Sequence, residues 1–182
     1  MGRTRLATVW LGGCSGCHMS FLDLDEFLID LAQLVDVVYS PIVDVKEYPH
    51  NVDVCLIEGA LCNEDHLEMI HKIRERTKIV VSFGDCAVTG NVSAIRNQLG
   101  LGNEENVLQR AYMEAAQSNP CVPAQKGIVP PLLKRVMPLH EMIYVDHYLP
   151  GCPPSAARIK SFVTQLLEGK APKLEGKDLK FG

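Results

Sequence analysis

The chain is 182 residues long, with 47% apolar and 22% charged residues, the proportions of an ordinary globular domain with room for a sizeable core. Its 18 Lys and Arg against 22 Asp and Glu leave a net charge of −4, which speaks against a general nucleic-acid binder. No apolar run reaches membrane-spanning length and the N-terminus carries no apolar signal region, so a cytoplasmic protein without a transmembrane segment is expected.

In chain order, the apolar run Leu6–Leu11 reads as a buried strand feeding the glycine-rich turn Gly12-Gly13-Cys14-Ser15-Gly16-Cys17. Ser20, with Asp23 three residues on, predicts a cap for a helix over Phe21–Leu34, with Phe21, Leu24, Leu28 and Leu31 on one face. Val35–Tyr39 and Val52–Ile57 read as the second and third strands. Asn63 then caps a helix with Glu64 and Asp65 in its first turn and Arg74 and Arg76 in its last, charges that suit the helix dipole. Lys78–Phe83 is the fourth strand, and a weaker helical run covers Glu104–Ala116. Asn119–Pro138 holds five of the eleven prolines and reads as a long ordered loop. Met142–Tyr148 is the fifth strand. Pro153-Pro154 opens the last helix, where Ile159, Phe162, Val163, Leu166 and Leu167 keep the helical apolar period and Gly169 marks the end. Residues 1–168 are thus expected to form one domain, followed by a lysine-bearing extension over 169–182.

Several strands are continuously apolar, as in a parallel sheet covered on both faces. Strands alternating with helices imply right-handed crossovers. The expected fold is α/β, a flavodoxin-like doubly wound parallel sheet of order 2-1-3-4-5.

Seven cysteines, an odd number, argue against a disulfide framework in a reducing compartment. Cys14 and Cys17 follow the first strand, Cys86 the fourth and Cys152 the fifth. All four fall just beyond carboxyl ends of strands, where open parallel sheets bind ligands. Four thiolates suit zinc or a 4Fe–4S cluster. The ligands come as one close pair plus two distant single residues on a domain large enough to fold without zinc, which favours the cluster. Cys55 lies inside a strand as a small core residue, Cys62 faces the ligand edge without a motif of its own, and Cys121 sits in the proline-rich loop. His18, beside a ligand, and Glu58, at the end of the third strand, lie at the same edge with open roles. A flavodoxin would place a hydroxyl-rich phosphate loop where Cys14 and Cys17 stand. A thioredoxin-like dithiol enzyme would leave Cys86 and Cys152 unexplained. A zinc-stabilised binding module remains a rival.

The motifs Cys14-Ser15-Gly16-Cys17, Gly84-Asp85-Cys86 and Pro150-Gly151-Cys152-Pro153-Pro154 resemble the small subunits of nickel–iron hydrogenases and the related cluster-bearing subunit of respiratory complex I. In the complex I subunit the first two cysteines are adjacent, and here two residues separate them, which favours hydrogenase. Larger hydrogenase small subunits carry a glutamate before the first cysteine, where this chain has Gly13, and further cluster ligands, whereas no cysteine follows Cys152. The run Pro138-Leu139-His140-Glu141 leading into Tyr148-Leu149-Pro150-Gly151-Cys152 resembles the short small subunit of the soluble bidirectional NAD-coupled hydrogenase. That resemblance implies one proximal 4Fe–4S cluster on Cys14, Cys17, Cys86 and Cys152. The nickel–iron site is then expected on a large-subunit partner, and FMN, further clusters and NAD on diaphorase subunits. This chain would transfer electrons and would not itself activate hydrogen. A hydrogenase with another acceptor, or the complex I subunit, is the alternative of the same class.

Overall fold

The computed structural model describes residues 2–176. Strand β1 (Thr4–Trp10) leads into helices α1 (Gly16–Leu22) and α2 (Phe27–Leu34) and then strand β2 (Val35–Tyr39). Strand β3 (Val52–Glu58) follows, then the short β4 (Leu61–Asn63), helix α3 (Glu64–Arg76) and strand β5 (Thr77–Phe83). Helix α4 (Asp85–Thr89) continues into a 3-10 segment (Asn91–Leu99), and helix α5 (Glu104–Gln109) into a π-helical turn (Arg110–Glu114). Strands β6 (Leu132–Met137) and β7 (His147–Leu149) and helix α6 (Ala156–Leu167) complete the described elements.

The main sheet has the order β2-β1-β3-β5-β7 and every pairing in it is parallel. Among its five strands that is the expected doubly wound order. Side chains alternate across it, as the pleat requires. Cys55, Ile57 and Val80 face one core with Ile70 and Ile73 of α3. Val54, Leu56 and Val81 face the other, with Leu31 of α2 and Ile159, Phe162 and Val163 of α6.

Four expectations are corrected. The helix expected over Phe21–Leu34 is two helices, because Asp25 adopts a left-handed φ of 49° between them, a conformation a short polar residue tolerates. Ser20 therefore caps nothing. It lies inside α1, and its hydroxyl donates to Pro154 O at 2.6 Å. The fifth strand is His147–Leu149 rather than Met142–Tyr148. Asp146 pairs with Val80 partly through its side chain, its N–H donating to Val80 O (3.0 Å) while its carboxylate accepts from Val80 N (2.8 Å). Regular pairing starts only after it. The proline-rich stretch is not all loop, since β6 pairs antiparallel with β4. Lys134 and Arg135 inside β6 mask its apolar pattern. Finally α6 begins after Ser155, whose hydroxyl accepts from Arg158 N (3.4 Å), and not at the two prolines.

Other expectations hold. Asn63 caps α3 through its side chain, which accepts from His66 N at 2.9 Å. Gly169 has φ 72° and donates its N–H to Leu166 O, closing α6. At the start of the extension, Lys173 N donates to Gln165 Oε1 (3.2 Å) and Leu174 packs on the α6 side of the core. Lys177 and Lys180 lie outside the described residues.

At the amino ends of the strands, Asp53 ties three of them together. It accepts from Lys78 Nζ of β5 (2.7 Å) and from Arg5 N of β1 (2.9 Å). The Lys78 bond, then those of Arg5, hold its carboxyl below the usual carboxylate value. A depressed folded-state value contributes stability above the unfolded pKa of about 4, lost as pH falls through the folded value. Asp53→Asn is expected to lower stability by about 1 kcal/mol at pH 7. In urea titrations that difference should shrink as pH falls below about 4.

Candidate metal centre at the strand ends

The carboxyl ends of the strands are in register. Trp10 of β1 pairs with Glu58 of β3, Glu58 with Phe83 of β5, and Phe83 with Leu149 of β7. The loop after Trp10 carries Cys14 and Cys17, the segment after Phe83 carries Cys86, and the loop after Leu149 carries Cys152. Backbone hydrogen bonds stitch these loops together. Leu11 N donates to Glu58 O (2.8 Å), and Gly12 and Ala60 exchange N–H···O bonds of 3.0 and 2.9 Å. Gly84 N donates to Leu149 O (2.8 Å), Asp85 N to Gly151 O (2.9 Å), and Gly151 N to the Asp85 carboxylate (2.6 Å). The α1 residue Ser20, bonded to Pro154, joins the first loop to the last.

Cys17 lies in the first turn of α1 and Cys86 in the first turn of α4, so both sit where helical N–H groups are unsatisfied within the helix. Cys152 differs: Pro153, Pro154 and Ser155 separate it from α6, and its bond to Pro153 is cis. Cys17 and Cys86 are buried, Cys14 and Cys152 exposed, so the group is closed below and open to one side.

Burial pushes the Cys17 thiol up, and the charges of Glu58, Cys86, Cys14 and Cys152 push it further. Burial also raises Cys86, with Ser93 beside it opposing the rise and Cys14 and Cys152 adding to it. Burial and these neighbours thus hold the Cys17 and Cys86 thiols against ionisation, and cationic metal bound through sulfur would replace their protons. Glycine makes the room: a Cβ on Gly84, whose φ is +84°, would lie 2.1 Å from Cys17 Sγ. The donor set and the space therefore fit a metal group bound through sulfur. Among the described residues, no three His, Cys, Asp or Glu side chains converge closely enough to ligate a single ion.

Glu58, whose role the sequence leaves open, is buried beneath the first turn. It accepts from His18 N (2.9 Å) and, more weakly, from Cys17 N (3.4 Å), and shares a hydrogen bond of 2.5 Å with the His18 ring Nδ1. Cys62 packs against the same loop, its sulfur 2.1 Å from where a Cβ on Gly12 would stand. Burial raises its thiol, and Cys86 contributes to that rise. Cys55 is fully buried inside β3, and burial pushes its thiol up to about 12. Cys121 is exposed, and its backbone N–H donates to Tyr112 O (3.2 Å). His147 lies edge-on to Phe162. Ser93 has no signal in the sequence: its hydroxyl donates to Gly12 O (2.6 Å) across 81 positions of chain, while facing Cys86.

The family is now evident. Residues 14–166 match the family of the 20-kDa subunit of NADH ubiquinone oxidoreductase, and the chain belongs to it. Within it, the chain is related to hydrogenase small subunits. It is 35% identical to the delta chain of the NAD-reducing hydrogenase HoxS of Cupriavidus necator, over 93% of this chain and 81% of that one. It is 38% identical to a subunit of the vhu F420-non-reducing hydrogenase of Methanocaldococcus jannaschii, over 95% of this chain and 59% of that one. The chain spans 54% to 60% of the length of the F420-non-reducing relatives it matches. A chain in the crystal structure of an NAD+-reducing NiFe hydrogenase in the H2-reduced state superposes with a TM-score of 0.92 at 39% identity, each covering 100% of the other. A NiFeSe hydrogenase chain from Dm. baculatum shares the fold at 16% identity and a TM-score of 0.56. The resemblance read from the three cysteine motifs is borne out, as is the flavodoxin-like sheet. Among the described residues no helix is long and apolar enough to cross a membrane.

Gly84→Ala combines a left-handed φ with a methyl group on the Cys17 sulfur. It is expected to cost about 1–3 kcal/mol from backbone strain alone. It should also lower metal content, read by metal analysis beside thermal unfolding.

Proposed function

We propose that the chain is the electron-transfer subunit of an NAD-coupled nickel–iron hydrogenase, with Cys14, Cys17, Cys86 and Cys152 holding one proximal 4Fe–4S cluster. The observation that carries this reading is the in-register row Trp10, Glu58, Phe83 and Leu149, which gathers three cysteine-bearing segments at one sheet edge. The full-length match to a chain of an NAD+-reducing NiFe hydrogenase supports it. One close pair of cysteines joined by two distant single ones, on a domain large enough to fold without zinc, suits a cluster, whose ligands attach to different irons, better than one zinc ion. When bound, such a cluster supplies one-electron transfer, here between the nickel–iron site of a large subunit and diaphorase subunits carrying FMN and further clusters.

The residues of this chain do the rest. Gly84 leaves space for the Cys17 sulfur, and Ser93, Asp85 and Ser20 hold the loops to one another. Cys14 and Cys152 are exposed, and so are Trp10, Met19 and Leu22 in the strand and helix on either side of the first loop. We place the large subunit on that face, and the assembly in the cytoplasm. Residues 1–168 act as the cluster-bearing domain and 169–182 as its extension. The F420-non-reducing relatives favour a second reading, in which cluster and hydrogenase role stand and the electron acceptor differs.

Anaerobically purified complex should contain about four irons on this chain and reduce NAD with H2. Stoichiometric zinc without iron would remove the electron-transfer reading; iron with H2 oxidation but no NAD reduction would select the second acceptor. Replacing Cys14, Cys17, Cys86 or Cys152 by Ala should abolish cluster and activity together. Cys55→Ala should cost roughly 1 kcal/mol and keep the iron. Cys121→Ala and Cys62→Ala should also keep it. Iron analysis of all seven single variants checks the ligand set, and a full cluster in the Cys86 or Cys152 variant would show it to be wrong.

A further inference from the structure

We propose that Glu58 is a positioning residue that fixes the Cys17 turn through the backbone N–H groups of Cys17 and His18 and the His18 ring and, by its buried negative charge, holds down the reduction potential of the metal group bound there. The proposal rests on the reading that the four cysteines bind a cluster, and it assigns a function to a side chain that is no ligand in that reading.

Glu58 is 2% exposed, and among the described residues no Lys or Arg is paired with it. A carboxylate so placed needs strong compensation. The compensation comes from the turn itself: Cys17 N, His18 N and His18 Nδ1 all point at its two oxygens. Cys17 N and His18 N are donors to a carboxylate that is acceptor-only when ionised, and the ring Nδ1 is a third donor in the His18 tautomer that carries hydrogen there. Two successive backbone N–H groups and the ring of the second residue are thereby held on one side chain. The direction in which the Cys17 side chain leaves the backbone is fixed relative to β3. Gly13 is part of the device, since a Cβ there would lie 3.5 Å from Glu58 Oε1 and 3.2 Å from Gly59 Cα. The neighbouring strands leave Glu58 no alternative position, because its backbone is paired with Trp10 on one side and Phe83 on the other.

The electrostatic consequence follows from sign alone. Reduction adds negative charge to the bound group, and a fixed carboxylate behind one ligand opposes it, so the potential is lower than it would be without the carboxylate.

The test uses the assembled complex carrying Glu58→Gln, Glu58→Asp or Glu58→Ala. It reads iron content, the electron paramagnetic resonance spectrum of the reduced protein and the midpoint potential by redox titration at fixed pH. Glu58→Gln keeps the shape and removes the charge. It is expected to retain iron and to titrate at a higher potential than the wild type. Glu58→Asp keeps the charge and should return the potential toward the wild-type value. Glu58→Ala loses both anchor and charge, and should show reduced iron content and an altered spectrum in complex that still assembles. An unchanged potential in iron-replete Glu58→Gln, or an equal shift of the same sign in Glu58→Asp, would overturn the charge role. Full iron and an unchanged spectrum in Glu58→Ala would overturn the positioning role. Wild-type complex without iron would instead overturn the cluster reading itself, so the two failures are distinguishable.

Discussion

The structure depends on the parallel register that aligns Trp10, Glu58, Phe83 and Leu149 at one edge of the sheet. A one-residue slip in any of these pairings would turn that strand's side chains to the opposite face and carry its loop out of line. The register is specified twice over. The two cores on opposite faces of β3 demand it, through Cys55 and Ile57 on one side and Val54 and Leu56 on the other. At the amino ends, Asp53 fastens β1, β3 and β5 together through polar bonds. The far ends are thereby placed for the loops that carry the thiols.

Assembling four thiols at a sheet edge brings groups together that repel when ionised and are costly when buried. The fold handles this with backbone rather than with a positive side chain. Loop joins loop through exchanged N–H···O bonds at Gly12 and Ala60, and through Gly84, Asp85 and Gly151. Hydroxyls of Ser20 and Ser93 close the two remaining gaps. In the proposed reading a sulfur-bound metal would supply the missing positive charge. Cys14 and Cys152 are exposed, as are Trp10, Met19 and Leu22 in the strand and helix that flank the first loop, which suits the proposed subunit contact.

The added antiparallel pair β4–β6 serves the same edge. It lies just past β3, and Arg96 of the 3-10 segment donates to both Cys62 O (3.2 Å) and Leu133 O of β6. Asn97 exchanges bonds of 2.8 Å with Val136. These contacts fix the segment that carries Ser93, and so bring Ser93 against Gly12 and Cys86. The proline-rich stretch is therefore partly structural support for the candidate metal centre.

The sequence by itself determined the sheet order, the placement of Cys14, Cys17, Cys86 and Cys152 just beyond strand ends, the capping of α3 and the family. The first three are read from local apolar period and turn chemistry, which do not require knowing what packs on what, and the family from the resemblance carried by the three cysteine motifs. The tertiary structure alone decided the break at Asp25, the late start of β7, the pairing of β6 with β4, and the roles of Ser20, Ser93 and Glu58. Each depends on partners far along the chain: Ser20 on Pro154, Ser93 on Gly12, Glu58 on Cys17 and His18. A hydroxyl or a carboxylate has no periodicity to betray such a partner. Its role is fixed only when the strand register brings the two segments within hydrogen-bond reach.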